Sequence, residues 1–243
     1  MSIKRIALPT ILVGFIAAVS AWLWIQATPL SAITHGGDGP PTLVLLHGYG
    51  GRAEHWLQFV DHLRVPPSTR LVFPQGPMLG PISRSRGWWW LNLEGHIPEG
   101  ERLPDYSTAN PAGIKVASFL VREYLEDIDG PIVLGGFSQG AMLSGDIAFQ
   151  TDQDLAGLVL IGGTTVNEAG WVERFAGRRG MPIFIAHGRR DGVLPFAIAE
   201  RFVNKLTAAG LDVTWVPFDG GHAIPSLVIQ RLNAFLAGLQ FGP

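Results

Sequence analysis

One serine, one histidine and one aspartate stand where apolar runs give way to glycine-rich turns, and that combination suits nucleophilic catalysis. Gly136-Phe137-Ser138-Gln139-Gly140 follows the run Pro131-Ile132-Val133-Leu134 and leads into Ala141-Met142-Leu143. A reactive hydroxyl on a tight strand-to-helix turn needs small residues two positions to either side, because a larger one would collide with the neighbouring strand and helix. A serine hydroxyl is a weak nucleophile until a base takes its proton, and a histidine near neutral pH can both accept that proton and return it to a leaving group. His222 fits as the base, in Phe218-Asp219-Gly220-Gly221-His222 beyond the apolar run Val213–Val216. Asp191, in His187-Gly188-Arg189-Arg190-Asp191 beyond Ile183–Ala186, fits as the group that orients the imidazole. His187 is the rival base and Asp219 the rival acid. A fourth stretch, Leu46-His47-Gly48-Tyr49-Gly50-Gly51, can aim backbone N–H groups at a developing oxyanion, with Tyr49 and Gln139 as the expected donors. His47 is read as organising this loop. His35, His55, His62 and His96 lack metal-ligand spacing, and neither a metal nor an organic cofactor is expected.

These groups need elements to position them. Short apolar runs bounded by Gly and Pro recur at Leu43–Leu46, Leu71–Phe73, Ile132–Leu134, Leu158–Ile161, Ile183–Ala186 and Val213–Val216. Runs of that kind suit strands covered on both faces. Between them lie helical patterns, one with Ile114, Ala117, Val121, Tyr124 and Ile128 on a face after a cap at Asn110 and a first-turn Pro111. Another has Ile198, Phe202 and Leu206 on a face, closed by Gly210. Alternating strands and helices predict an α/β class with a mostly parallel, doubly wound sheet whose reactive groups sit beyond the carboxyl ends of the strands. The stretch between Ile161 and Pro182 is too short for a bulky cap domain, so the site is expected to be open.

The Gly-Phe-Ser-Gln-Gly elbow, the His-Gly-x-x-Asp-x-x-x-Pro loop and the Gly-Gly-His turn together resemble the phospholipase/carboxylesterase family, which includes acyl-protein thioesterases. The resemblance covers about residues 42–238, and Leu71-Val72-Phe73-Pro74-Gln75-Gly76-Pro77 also resembles a loop those enzymes place beside the site. It implies the α/β-hydrolase fold without a large cap, a Ser138-His222-Asp191 triad and oxyanion donors at Tyr49 and Gln139. Two stretches depart from the pattern: Gly51 stands where an acidic residue is common, and Gly87-Trp88-Trp89-Trp90-Leu91-Asn92-Leu93 stands where relatives carry Trp-Phe-Asp. Substrate is therefore less constrained than chemistry. Trp88, Trp89 and Trp90 are read either as core or as an apolar wall for the substrate's acyl or aryl group.

The chain of 243 residues has no cysteine, which excludes thiolate catalysis and disulfides. Its net charge of -2 leaves no basic footprint for nucleic acid. Lys4 and Arg5 precede an uncharged run from Ile6 to Ile25, long enough to cross a bilayer. Residues 1–27 are accordingly expected to form a hydrophobic helix, acting as a transmembrane signal-anchor or as a signal peptide cleaved near Val19-Ser20-Ala21. Residues 28–41, dense in Gly and Pro, are expected to be a linker, and residues 42–243 the catalytic domain. The expected partners are an acyl-ester substrate and a membrane met through residues 6–25, with the catalytic domain outside the cytoplasm or the protein secreted. The expected reaction is hydrolysis of carboxylic esters or thioesters through an acyl-serine intermediate. The alternatives are a serine peptidase, acyltransferase or perhydrolase on the same fold, and a catalytically silent, membrane-tethered binding protein.

Overall fold

The computed structural model describes residues 30–80, 84–91 and 103–240. Each apolar run became a strand. A seven-stranded sheet is ordered β1-β3-β2-β6-β7-β8-β9, with β1 Ala32–Gly36, β2 Gly39–Leu46, β3 Thr69–Pro74, β6 Ile132–Phe137, β7 Gly157–Ile161, β8 Ile183–Gly188 and β9 Val213–Phe218. All neighbours run parallel except β1, which pairs antiparallel with β3 along the edge. A small hairpin, β4 Met78–Leu79 with β5 Arg86–Gly87, stands apart.

The side-chain alternation of a strand sorts the core into two layers. Val44, Leu46, Leu134, Leu158, Leu160 and Ile185 join one apolar cluster. Leu43, Leu45, Val133, Val159, Ile161 and Phe184 join the other. Each buried Leu, Ile or Val contributes about 1.5–3 kcal/mol relative to exposure, so both faces must be covered by helices. The four-residue helix α1 (Leu57–Val60) is followed along the chain by α2 (Ala112–Glu126), α3 (Gln139–Gln150), α4 (Glu168–Glu173), α5 (Phe196–Ala208) and α6 (Ser226–Gly238). Val121 from α2, Ile147 from α3 and Phe202 from α5 pack into the first cluster, and Val228 and Leu232 from α6 pack into the second.

Two boundaries differ from expectation. Pro111 takes the cap position of α2 itself, with no side-chain capping bond. Part of the stretch expected to be a linker is β1, whose Ile33 faces Phe73 in the ladder. The Gly- and Pro-rich composition there concealed a strand that gains its hydrogen bonds from the exposed edge of β3.

The connection between β7 and β8 holds α4 and a short 3-10 turn, Phe175–Arg178, and both lie flat on the body. Trp171 and Phe175 pack on Phe149 of α3 and Phe202 of α5. Buried Glu168 pairs with Lys205 and Arg201 of α5. This segment fastens two helices together, and among the described residues there is no large cap.

The expectation of a membrane-anchored or secreted catalytic domain needs correction. Among the described residues no helix is long and apolar enough to cross a membrane. The hydrophobic helix expected over residues 1–27, and the membrane contact through residues 6–25, fall outside the described residues.

Candidate active site

The carboxyl ends of β2, β6, β8 and β9 bring the singled-out residues together. Ser138 follows β6 directly and starts α3, and it holds φ 56 and ψ -118. A non-glycine residue with positive φ is strained, and strain of this kind persists only where the surroundings impose it. Here the Ser138 N–H donates to the Ile161 carbonyl at 2.9 Å, and the Met142 N–H donates to the Ser138 carbonyl at 3.0 Å. The flanking glycines are obligatory. A Cβ on Gly136 would stand 2.5 Å from the Gly140 carbonyl carbon and 2.6 Å from the Leu46 oxygen, and one on Gly140 would run into Leu46.

His222 reaches the serine from the turn after β9. Its Nε2 lies 2.9 Å from Ser138 Oγ and its Nδ1 2.7 Å from Asp191 Oδ2. A carboxylate only accepts, so Nδ1 carries the proton and the Nε2 lone pair faces the hydroxyl. The Phe137 ring packs beside the imidazole, with centroids 4.7 Å apart. Asp191 is itself held: its Oδ1 accepts the N–H groups of Val193 at 2.8 Å and Leu194 at 2.9 Å. Burial pushes its carboxyl pKa up, but hydrogen bonds from His187, His222 and the Leu194 N–H outweigh that and hold it well below the usual carboxylate range.

The two rivals are placed elsewhere. Asp219 is exposed and pairs with Arg190 at 2.8 Å. His187 is fully buried, with Nε2 3.1 Å from the Leu194 carbonyl and 3.3 Å from Asp191 Oδ2, so it touches the carboxylate and not the serine.

The loop after β2 lies over Ser138, since a Cβ on Gly48 would be 3.1 Å from the Ser138 Cβ. His47 stiffens it. The Gly76 N–H donates to His47 Nε2 at 2.9 Å, and His47 Nδ1–H donates to the Gly48 carbonyl at 2.8 Å. Burial lowers the His47 pKa to about 4, so the ring is neutral at pH 7. The Tyr49 N–H finds no protein acceptor among the described residues. The Gln139 N–H opens a helix, where no preceding turn supplies a carbonyl.

The tryptophans divide. Trp88 and Trp89 are each 2% exposed and belong to the core, whereas Trp90 is 62% exposed and meets the Tyr49 ring edge-on. The Gln139 side chain, which sequence reasoning valued only for its backbone, holds the buried pair in place. Its Oε1 accepts the Trp88 N–H at 2.9 Å and its Nε2 donates to the Trp89 carbonyl at 2.7 Å. Nothing local signals this role, because the partners are about fifty residues away. Asn92, Leu93 and His96 lie outside the described residues. A cleft of about 250 Å³ opens beside His222, bordered also by Tyr49, Trp56, Phe59 and Phe137.

Comparison with known proteins agrees with this architecture. A family model described as Phospholipase/Carboxylesterase matches residues 31–240. Acyl-protein thioesterase 1 of Gibberella zeae is 26% identical over 214 residues, spanning 80% of this chain and 88% of that protein. Lysophospholipase-like protein 1 of Mus musculus is 23% identical over 214 residues, spanning 82% and 84%. Among solved structures, esterase PE8 superposes with a TM-score of 0.71 at 24% identity, covering 88% of this chain and 100% of that one. Acyl-protein thioesterase 2 of Zea mays gives 0.65 at 20% identity, covering 85% and 99%. The family match starts at β1, beyond the apolar run of residues 6–25. The relatives match this chain without supporting an anchored or exported location, and that expectation is corrected accordingly.

Proposed function

The chain belongs to the phospholipase/carboxylesterase family of α/β-hydrolases, and from that premise we propose that it is a serine hydrolase cleaving carboxylic esters or thioesters through an acyl-serine intermediate. The observation that carries this reading is the hydrogen-bonded line from Ser138 Oγ through the His222 ring to Asp191, at 2.9 and 2.7 Å.

In the proposed reaction Ser138 Oγ attacks the carbonyl carbon while His222 Nε2 takes its proton. The carbonyl oxygen becomes an oxyanion between the Tyr49 and Gln139 N–H groups, each worth about 2.7–4 kcal/mol of transition-state stabilisation in comparable sites. Collapse of the tetrahedral species breaks the bond to the leaving oxygen or sulfur, which departs with the proton from Nε2. Water then repeats the sequence on the acyl-serine, releasing the acid and restoring Ser138. Asp191 keeps Nδ1 protonated and stabilises the imidazolium formed in each half. Trp90, exposed beside Tyr49, is the tryptophan proposed to touch the acyl or aryl group.

The test is a panel of p-nitrophenyl esters and acyl thioesters of increasing chain length, run on the full chain and on Ser138→Ala. Turnover that disappears in the variant is the expected result. Equal rates in the two proteins would remove Ser138 as nucleophile.

A further inference from the structure

The cleft beside the triad continues past His222. A larger depression of about 860 Å³ adjoins it, and Gln58, Phe59 and Ile224 border both. The shared residues join the two into one groove, running from His222 between the helical segment 53–60 and α6. Its near walls are mostly apolar, with Trp56, Phe59, Phe137 and Ile224 beside the polar His55 and Gln58. Its far rim carries Asp61, His62, Arg64, Gln230 and Asn233. That rim is an ordered surface: the Arg64 N–H donates to Asn233 Oδ1 at 2.8 Å, and Asn233 Nδ2 donates to the His62 carbonyl at 2.9 Å.

Proton transfer decides which half of a substrate lies here. The leaving atom must take the proton from His222 Nε2, so it departs within hydrogen-bond reach of that nitrogen. His222, Ala223 and Ile224 form a wall of the groove at its mouth. Whatever is attached to the leaving atom is thus directed along the groove, while the acyl part stays on Ser138. We propose that the groove binds an extended, amphipathic leaving group, apolar next to the reacting oxygen or sulfur and hydrogen-bonding farther out. The inference rests on the serine-hydrolase reading above and deepens it, since it places specificity in the alcohol or thiol part of the substrate.

Ala234 is exposed on α6 and lines the far half of the groove, and Gln230 stands exposed one turn earlier. A tryptophan at either position fills the groove from its solvent side. The probes are the acetyl thioester of ethanethiol and that of a cysteine peptide with an aromatic residue beside the cysteine. The full chain, Ala234→Trp and Gln230→Trp are compared, with folding checked by thermal unfolding. The expected result is that kcat/KM for the peptide, relative to the ethyl thioester, falls about tenfold or more in the variants, the scale of a steric mismatch in a binding pocket. An unaltered ratio in both folded variants would overturn the groove assignment alone. A variant that changes the acyl-length preference of p-nitrophenyl esters in place of that ratio would overturn it too, by marking the groove as the acyl site. Absence of turnover on every probe by the parent chain would overturn the serine-hydrolase reading and the groove assignment together.

Discussion

The side chain of Gln139 and the backbone N–H of Trp88 are joined by a buried 2.9 Å hydrogen bond, which ties the residue after Ser138 to the tryptophan segment. Replacing Gln139 by Leu keeps the backbone N–H proposed for the oxyanion but leaves the Trp88 N–H and the Trp89 carbonyl buried without partners. An unsatisfied buried group costs about 1–3 kcal/mol. A lowered denaturation midpoint, accompanied by reduced kcat, is expected from urea unfolding and ester turnover.

Asp191→Asn should lower kcat about 10³–10⁴-fold while leaving KM little changed, because an amide no longer enforces the Nδ1–H tautomer of His222. The same variant reports on stability. The carboxyl pKa is depressed in the folded state, so its ionisation stabilises the fold fully above the ordinary Asp range near 4 and progressively less as pH falls toward the depressed value. The stability gap between parent and Asp191→Asn should therefore narrow between about pH 5 and pH 3. A gap that stays constant with pH would contradict it.

His47 gives the corresponding prediction for a histidine kept neutral by burial. Its pKa falls from 6.5 to about 4 on folding. Below 6.5 the unfolded chain binds a proton that the folded chain refuses, so stability is full above that pH and declines as pH falls toward 4. The slope from this group approaches about 1.4 kcal/mol per pH unit. His47→Gln should remove that component when denaturation midpoints are compared at pH 7 and pH 5.

Gly136→Ala should abolish most activity and destabilise the protein. Its methyl group would meet the Gly140 and Leu46 backbones at 2.5 and 2.6 Å, neither of which yields without moving the elbow. Overpacking of this kind costs about 1–3 kcal/mol or more. Thermal unfolding together with fluorophosphonate labelling of Ser138 reads both effects.

The three tryptophans should separate by burial. Trp88→Ala and Trp89→Ala are expected to cost about 3–5 kcal/mol, and Trp90→Ala less than about 0.5 kcal/mol. A change in acyl-chain preference is expected in Trp90→Ala, measured on the p-nitrophenyl ester series. A Trp90→Ala profile that overlays the parent's would exclude this residue as a substrate contact.

What the sequence by itself determined about this protein is local. Apolar runs from Leu43 to Val216 sufficed to locate six strands of the sheet, because a strand buried on both faces must be apolar throughout. The elbow at Ser138 was legible because its glycines answer a steric demand within five residues. What the tertiary structure decided depends on residues far apart in the chain. Which carboxylate lies beside His222 depends on the adjoining ends of β8 and β9, which bury Asp191 there and turn Asp219 outward to Arg190. The fate of the tryptophans was set by a glutamine about fifty residues away. The edge strand β1 carries little pattern of its own and exists because β3 offered it an unpaired ladder. Local patterns record the burial of single elements, whereas partner choice and cavity shape depend on where those elements dock.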